Sequence, residues 1–494
     1  MGLNPLDLGI VAAYLAGVTL FGLRFRKRRR TLKDYFLADK QIPWWAIALS
    51  IVAAETSTLT VIGVPGLAYD KDFRFLQLVI GYLVGRVIVS FLFIPQYFRG
   101  DMLTAYELIE RRFGQKLHTL TAGMFLITRA AAEGVRVFAV AIVVRVALGS
   151  LLTGMSDLQR DLCAIALVTI LTLAYTFEGG MAAVIWTDVL QLAIYVTGTI
   201  VAFFTILHAI PGGWPTVHSV ALETGKFRVF DWSWSMTTTY TFWSGIIGGT
   251  FLTIASHGTD QLIVQRLLSA RSERQSKAAL LASGVVVFFQ FSLFLLIGAM
   301  LFVYYRFVPP ASGFARTDII YPTFIVSRMP HGMSGLLISA ILAAAMCNLS
   351  AALNSLSSTV IVDFYGRFRP ASSEERRVYL SRMATLFWAV VLFALAILAR
   401  RSGKVIEAGL SIASVAYGSL LGVFLLGVLT KTVSERGAIV GMVAGFAVNL
   451  YLWLGTGVSF TWYVVMGGIV TMTVGYGASA VLPREHRDVV VLRK

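Results

Sequence analysis

Two long hydrophobic segments are interrupted by polar residues and glycines, and this feature constrains the fold more than any other. The first segment, Leu49–Gly66, carries a Glu-Thr-Ser-Thr run at its middle. The second, Thr241–Gly258, carries a glycine cluster that is followed by polar residues: Thr253, Ser256, His257 and, just beyond it, Asp260. A lipid interior offers no water to the backbone groups that a broken helix leaves unpaired, so each interruption must line a protein cavity. One interruption in each half of the chain is typical of the binding site of a secondary transporter.

The composition places nearly the whole chain in a membrane. Of its 494 residues, 57% are hydrophobic and only 14% are charged, whereas soluble domains carry about 25% charged residues. The pattern predicts an all-α polytopic protein with about 13 transmembrane helices. Their approximate cores are residues 8–25, 43–68, 74–98, 118–149, 160–177, 180–209, 238–257, 279–306, 332–364, 379–400, 405–429, 436–454 and 459–482.

The distribution of basic residues predicts the orientation. The formal net charge is +16, and a cluster at Arg24–Arg30 follows the first helix. With an odd number of helices, the other basic clusters fall on the same side of the membrane as this one, and the loop Arg400–Lys404 is the exception. Positively charged loops lie in the cytoplasm. We therefore expect a protein of the plasma (inner) membrane with its N-terminus outside and its C-terminus in the cytoplasm. Loop charge of this kind reflects topology, so the expected partners are a small solute and the lipid bilayer, without nucleic acid or an obligatory protein partner.

Other functional classes find little support in the sequence. The two cysteines, Cys163 and Cys347, lie inside predicted spans and cannot form a disulfide framework. The six histidines are scattered without metal-binding spacing, which argues against an enzyme. A channel would need a ring or a filter, and none is visible. A transporter is therefore predicted, with a transporter-like solute sensor as the remaining alternative.

Four sequence blocks, in this order along the chain, carry a resemblance to a known family. They are Asp34–Ala38 with Trp44–Trp45 and Ala54–Ser57; Tyr175–Thr176 with Gly179–Gly180 and Ala183–Gln191; Asp260–Gln261 with Val264–Arg266; and Asn354–Ser355 with Asp363–Tyr365. Together they resemble the sodium:solute symporter family, which includes sodium/glucose, sodium/proline and sialic acid cotransporters. The resemblance implies cation-coupled symport of a small polar or anionic organic solute by alternating access.

The family's fold implies a five-plus-five inverted-repeat, LeuT-like core inside a single transporter domain that covers residues 1–494. Residues 43–209 would form the first repeat and residues 238–430 the second. Residues 1–42 would add an N-terminal helix and a basic loop, and residues 431–494 further C-terminal helices.

The resemblance also implies where the coupling ion binds. It places sodium ligands at Leu49, Val52, Ala344, Cys347 and Asn348, and, for a second site known in some members, at Asp188 and Ser350. The chain departs from the family at Cys347, because a thiol is a poor ligand for a hard cation, whereas the Asn348 amide oxygen is suitable. It departs again at Ala351, which lacks the expected hydroxyl. Sodium is therefore the expected coupling ion, and proton coupling through Asp188 or Glu55 is the alternative.

The solute site is expected between the two interruptions. Its candidate residues are Glu55, Thr56, Ser57, Thr58, Gln77, Thr253, Ser256 and His257. Hydroxyls on helices often bond to their own backbone, and His257 could instead be solvated near a helix end. Sugar-carrying relatives have an aromatic residue at the position of Ser256 and a lysine near residues 287–290. This chain has neither residue there, which argues against a hexose as the solute.

Three charged residues share one face of the fourth predicted span: Arg129, Glu133 and Arg136. Unpaired charge at this depth is costly, so this face must look inward. Two interpretations remain open. In the first, Glu133 neutralises one arginine, and Glu55 or Asp188 neutralises the other. In the second, Arg129 or Arg136 binds a carboxylate of the solute. The sialic acid members of the family resemble the second, because they use an arginine on the equivalent helix.

Overall fold

The computed structural model describes residues 2–24, 40–99, 102, 105–149, 151–175, 181–310, 313–365, 369, 374–401 and 403–482. Over these residues the structure is helical, and its one β-bridge joins Ile42 to Ala270. In chain order the α-helices are α1 Pro5–Arg24, α2 Trp44–Glu55, α3 Thr58–Asp70, α4 Phe75–Leu92, α5 Ile94–Phe98, α6 Glu107–Arg112, α7 Gln115–Ala147, α8 Asp157–Tyr175, α9 Met181–Ala209, α10 Gly213–Glu223, α11 Gly249–Gly258, α12 Gln261–Leu268, α13 Glu273–Phe307, α14 Ile320–Arg328, α15 Met333–Thr359, α16 Glu374–Ala399, α17 Val405–Leu429, α18 Glu435–Gly455 and α19 Tyr463–Val481.

Every predicted hydrophobic region contains a helix in the structure, which confirms the all-α class. Within the described ranges, 8 helices are long and apolar enough to cross a membrane, or up to 9 if the bent pair α2–α3 is one span. The total of 13 spans stays a prediction.

The first predicted interruption is present. Helices α2 and α3 meet at an angle of 62°. The Thr56 amide closes the last turn of α2 on the Val52 carbonyl at 2.8 Å, and Ser57 is extended before α3 begins. The Thr60 hydroxyl then donates to the Glu55 carbonyl at 2.9 Å, so one side chain of α3 satisfies a carbonyl at the end of α2.

The expected interruption at the glycine cluster of the second segment is wrong. Residues Ser244–Gly248 form a π-helical turn that continues directly into α11. The glycines serve close packing instead, because a Cβ atom at Gly245 would lie 2.7 Å from the Gln77 Cβ atom on α4. The real interruption comes later, at residues 259–260, where the Asp260 carboxylate accepts the Leu262 amide at 2.9 Å and caps α12.

Residues of both interrupted segments line one central cavity. Helix α13 packs against α2, α3 and α4, and α4 packs along α11. Helix α7 packs against α15, α16 and α17 and also contacts α3. This arrangement encloses a space between the two interruptions.

Polar contacts join the C-terminal end of α3 to the N-terminal end of α17 at one end of the molecule. Lys71 Nζ lies 3.4 Å from Glu407 Oε1, and the Tyr240 hydroxyl donates to the same oxygen at 3.1 Å. Lys404 and Asp70 form a second ion pair at 2.5 Å. We call this the outer end, following the predicted orientation.

Lys226 fastens the outer end of α3 to the segment after α10. Its ammonium donates to the Tyr69 carbonyl at 2.6 Å and to the Lys71 carbonyl at 2.7 Å, and it lies 4.0 Å from the centre of the Phe302 ring. Such carbonyls are the groups that the end of a helix leaves unpaired. Burial lowers the pKa of Lys226 from its ordinary value of 10.5 to about 8.

This lowered pKa predicts a pH dependence of stability. Between about pH 8 and 10.5 the unfolded chain holds a proton that the folded chain has released, so the free energy of unfolding rises as pH increases through this window. Lys226→Arg, whose guanidinium stays protonated, is expected to lack the rise. Thermal midpoints of both proteins from pH 7 to pH 10 measure the difference, and parallel curves would contradict the prediction.

Candidate solute and ion site

A central cavity of about 200 Å³ lies between the two interruptions. Aromatic side chains form part of its wall, among them Phe75, Tyr82, Phe125, Phe291 and Tyr417. Its polar lining comes from both interrupted segments and from α7, α12 and α15: Glu55, Ser57, Thr60, Thr128, Arg129, Arg136, Thr253, Ser256, His257, Asp260, Arg266 and Asn348. The space therefore offers charged, hydroxyl and aromatic groups to one small molecule.

Glu55, at the first interruption, joins three helices. One carboxylate oxygen pairs with the Arg86 guanidinium on α4, and the other lies 3.0 Å from His257 Nε2 on α11. Arg86 is 1% exposed, and it also donates to the Ser283 hydroxyl on α13 at 3.3 Å. The geometry makes this ion pair the hub that holds α2 against α4 and α11.

The three charges on α7 form one group. Glu133 Oε1 lies 2.9 Å from Arg129 NH2 and 2.8 Å from Arg136 NH1, so a single carboxylate holds both arginines. Glu133 is 1% exposed, and the Arg136 side chain is 31% exposed. Arg129 is 8% exposed, and among the described residues its Nε has no hydrogen-bond partner.

Asp260, at the second interruption, connects α12 to two other helices. The Tyr417 hydroxyl on α17 donates to Asp260 Oδ2 at 2.8 Å. Arg129 NH1 lies 3.8 Å from the same oxygen. Each interruption thus carries a carboxylate that an arginine faces.

A fourth pair lies toward the other end of α2. Arg266 on α12 donates to Asp188 on α9 at 3.0 Å and to the Ser50 hydroxyl at 2.9 Å. Ser50 in turn donates to Asp188 at 2.6 Å. In all, four arginines on and around the cavity face four carboxylates, so these eight side chains sum to no net charge.

The structure brings most of the predicted solute residues to the cavity. Seven of them line it: Glu55, Ser57, Arg129, Arg136, Thr253, Ser256 and His257. Thr58 lines an adjoining cavity of about 10 Å³ beside Glu133 and Asn348. Thr56 lines neither, because its hydroxyl donates to the Val52 carbonyl at 2.7 Å and to the Gln290 amide oxygen at 2.9 Å.

Gln77 does not contact the cavity, which contradicts its expected role. Its amide nitrogen donates to the carbonyls of Arg74 at 3.1 Å and Tyr240 at 3.3 Å, and its oxygen accepts the Asp231 amide at 3.1 Å. A buried side-chain amide needs hydrogen-bond partners, and backbone groups provide them here.

Two further interpretations need correction. His257 is buried rather than solvated, at 2% exposure. The α7 arginines are not neutralised by Glu55 or Asp188, since those carboxylates pair with Arg86 and Arg266. Neither arginine was among the site residues predicted from the sequence. A lone arginine inside the apolar helix α4 was the available signal for Arg86, because such a charge must find a buried partner.

The implied sodium ligands are only partly described. Leu49 and Val52 lie in α2, and the Val52 carbonyl accepts both the amide and the hydroxyl of Thr56. The side chains of Ala344 and Cys347 fall outside the described residues. Among those described, Asp188 bonds to Ser50 and Arg266 and not to Ser350.

Comparisons with known proteins agree with this architecture. The profile of the sodium:solute symporter family matches residues 35–445. The chain is 29% identical to the sodium/sialic acid symporter SiaT of Proteus mirabilis, over 95% of this chain and 94% of that protein. It is 26% identical to the human sodium/iodide cotransporter, over 91% of this chain and 70% of that protein.

Solved structures show the same fold. A substrate-bound, outward-open structure of a Na+-coupled sialic acid symporter superposes with a TM-score of 0.84 and 28% identity, over 97% of this chain and 99% of that one. Mhp1, a nucleobase-cation-symport-1 family transporter, superposes with a TM-score of 0.57 at 13% identity, over 90% of this chain and 93% of that one. The second likeness concerns the fold alone, which is the LeuT-like fold of sodium symporters.

Proposed function

Since this chain belongs to the sodium:solute symporter family, in which sodium drives solute transport by alternating access, we propose that its solute is a small organic anion held by a carboxylate. The observation that carries the proposal is the state of Arg129. This guanidinium lines the cavity and is almost fully buried, and its NH1 group lies 3.8 Å from Asp260 Oδ2. That separation exceeds ordinary hydrogen-bond distance, so NH1 can still donate to a carboxylate that enters the cavity.

Arg136 supports the same conclusion. It lines the cavity as well and is the more exposed arginine of the α7 group, so its remaining donors can face a ligand. Because Glu133 holds both guanidinium groups, their orientation is fixed before a solute arrives. A planar guanidinium recognises a carboxylate with two parallel hydrogen bonds, which gives geometric selectivity as well as affinity.

The charge balance around the cavity favours an anion that enters together with sodium. The eight paired side chains sum to no net charge, so an anion alone would leave one uncompensated charge at this depth. A sodium ion bound nearby restores neutrality, and each ligand then raises the affinity for the other. This reciprocity couples the two fluxes.

For the ion we retain the ligand set that the family motif implies, centred on Leu49, Val52 and Asn348. Asn348 reaches both the central and the adjoining cavity, so its amide oxygen can stand between ion and solute. Asp188 is the weakest member of that set, because Arg266 already supplies a cation to it. The orientation, with the N-terminus outside, and the repeat boundaries 43–209 and 238–430 belong to the same proposal.

The relatives narrow the first solutes to test. Several of their names specify anions at neutral pH, namely sialic acid, iodide and monocarboxylates, and a further relative is a sodium-dependent multivitamin transporter. We expect N-acetylneuraminate or a short monocarboxylate to raise the thermal midpoint of the purified protein in sodium buffer and much less in choline buffer. A ligand at 100 times its dissociation constant stabilises a fold by about 2.7 kcal/mol.

The panel includes glucose and proline as uncharged and zwitterionic controls, and iodide as an anion without a carboxylate. The variant Asn348→Ala is expected to reduce the sodium-dependent part of the shift. Stabilisation by glucose or proline alone would refute the anion proposal. An equal response to sodium in Asn348→Ala would remove Asn348 from the ion site.

A further inference from the structure

Ser256, His257 and Glu55 form a chain of contacts along the wall of the central cavity. All three residues line that cavity. His257 Nδ1 lies 2.9 Å from the Ser256 hydroxyl oxygen, and His257 Nε2 lies 3.0 Å from Glu55 Oε1. The α7 arginines of the proposed carboxylate site are held by a different carboxylate, that of Glu133. The chain of contacts is therefore a second polar region of the same cavity.

Glu55 determines which nitrogen of His257 carries a proton. Arg86 already balances the charge of Glu55, so His257, at 2% exposure, needs no charge of its own and is neutral. A ring nitrogen 3.0 Å from a carboxylate oxygen presents a hydrogen to it, because two lone pairs at that distance would repel each other. The other nitrogen of a neutral imidazole is an acceptor. Nδ1 of His257 consequently accepts the hydrogen of the Ser256 hydroxyl.

Both ends of this chain then offer acceptors to the cavity. The Ser256 hydroxyl has given its hydrogen to His257, so its oxygen keeps lone pairs for a ligand. The Glu55 side chain is 17% exposed, and each carboxylate oxygen accepts more than one hydrogen bond. An alkyl group placed here would displace water without replacing its hydrogen bonds. A second carboxylate would be repelled by Glu55.

We propose that the solute carries hydroxyl or amide N–H donors in addition to its carboxylate, and that Glu55 and Ser256 bind these donors. The inference rests on the proposed function, because it takes the carboxylate on the α7 arginines as given. It narrows the solute to hydroxylated or acylamino monocarboxylates. The same acceptors select against an alkyl monocarboxylate of equal length.

Gluconate and hexanoate provide a matched pair of probes. Both are six-carbon monocarboxylates, but gluconate has a hydroxyl on every carbon beyond its carboxylate, so one of them can reach the acceptors wherever these lie. Thermal midpoints of the purified protein, titrated with each anion in sodium and in choline buffer, give the sodium-dependent dissociation constants. A hydrogen bond to a charged acceptor such as Glu55 contributes a factor of about ten or more. We therefore expect gluconate to bind about tenfold more tightly than hexanoate, or better.

Ser256→Ala tests the uncharged acceptor. The variant is expected to weaken gluconate binding about two- to tenfold, which is the range of a neutral hydrogen bond, and to affect hexanoate binding much less. Ser292→Ala is the matched control, because the Ser292 hydroxyl on α13 already donates to the Phe288 carbonyl at 2.8 Å. This control should leave the ratio of the two dissociation constants unchanged.

The result that overturns the inference is a gluconate affinity no higher than that of hexanoate, which includes the absence of any gluconate response. A ratio that Ser256→Ala leaves at its wild-type value overturns it as well. In either case, a sodium-dependent response to hexanoate or to another carboxylate retains the anionic solute of the proposed function. No response to any carboxylate would refute the proposed function together with this inference.

Discussion

Replacement of Arg129 by lysine is expected to abolish most anion uptake while the protein remains folded and inserted. Lysine retains the positive charge and can still pair with Glu133, so the α7 group stays neutralised. It loses the planar fork that can hold a carboxylate with two parallel hydrogen bonds. Each hydrogen bond to a charged group contributes about 1.5–3 kcal/mol, so the loss of two would weaken solute binding by about 10²-fold or more.

Uptake of a labelled anion into proteoliposomes in a sodium gradient measures this effect. Arg145→Lys provides a matched control on the same helix, because Arg145 pairs with Asp157 at 2.6 Å and Asp161 at 3.1 Å, away from the cavity. The control is expected to transport normally. Normal uptake by Arg129→Lys would exclude this arginine as the carboxylate ligand and shift attention to Arg136.

The sequence predicts the class and the first interruption because both depend on local patterns. A Glu-Thr-Ser-Thr run inside an apolar segment can only be accommodated at a cavity, and the structure has a break there between Glu55 and Thr58. The second interruption was misplaced for a related reason. Glycines in a hydrophobic helix signal either a break or close packing, and Gly245 serves packing against Gln77.

The partners of buried charges could not be predicted, because they are set by tertiary contacts between distant segments. Glu55 and Arg86 lie on different helices, and Asp188 and Arg266 are farther apart along the chain. The helical period places Arg129 and Glu133 on one face, so that local pair was accessible from spacing alone. Long-range pairing needs the fold, and the fold determined which carboxylates remain available near the solute.

The Glu55–Arg86 pair predicts the largest effect on stability. Glu55→Gln leaves the Arg86 guanidinium, at 1% exposure, without its counter-charge and replaces the carboxylate that His257 faces by an uncharged amide. Breaking one side of a buried ion pair costs about 3–5 kcal/mol, because the remaining charge stays buried without compensation. We expect a marked fall in thermal midpoint and in the yield of folded protein.

Two further variants separate this cost from a general effect of lost charge. Glu407→Gln removes a carboxylate whose side chain is 27% exposed and whose pair with Lys71 spans 3.4 Å, and pairs of that kind contribute about 0–1 kcal/mol. The double variant Glu55→Gln with Arg86→Met removes both buried charges and is expected to recover much of the lost stability. Thermal unfolding of the three variants measures the difference. If Glu55→Gln is as stable as Glu407→Gln, the buried pair is not the hub that holds α2 against α4 and α11; if the double variant is no better than Glu55→Gln, the loss comes from packing rather than from an unpaired guanidinium.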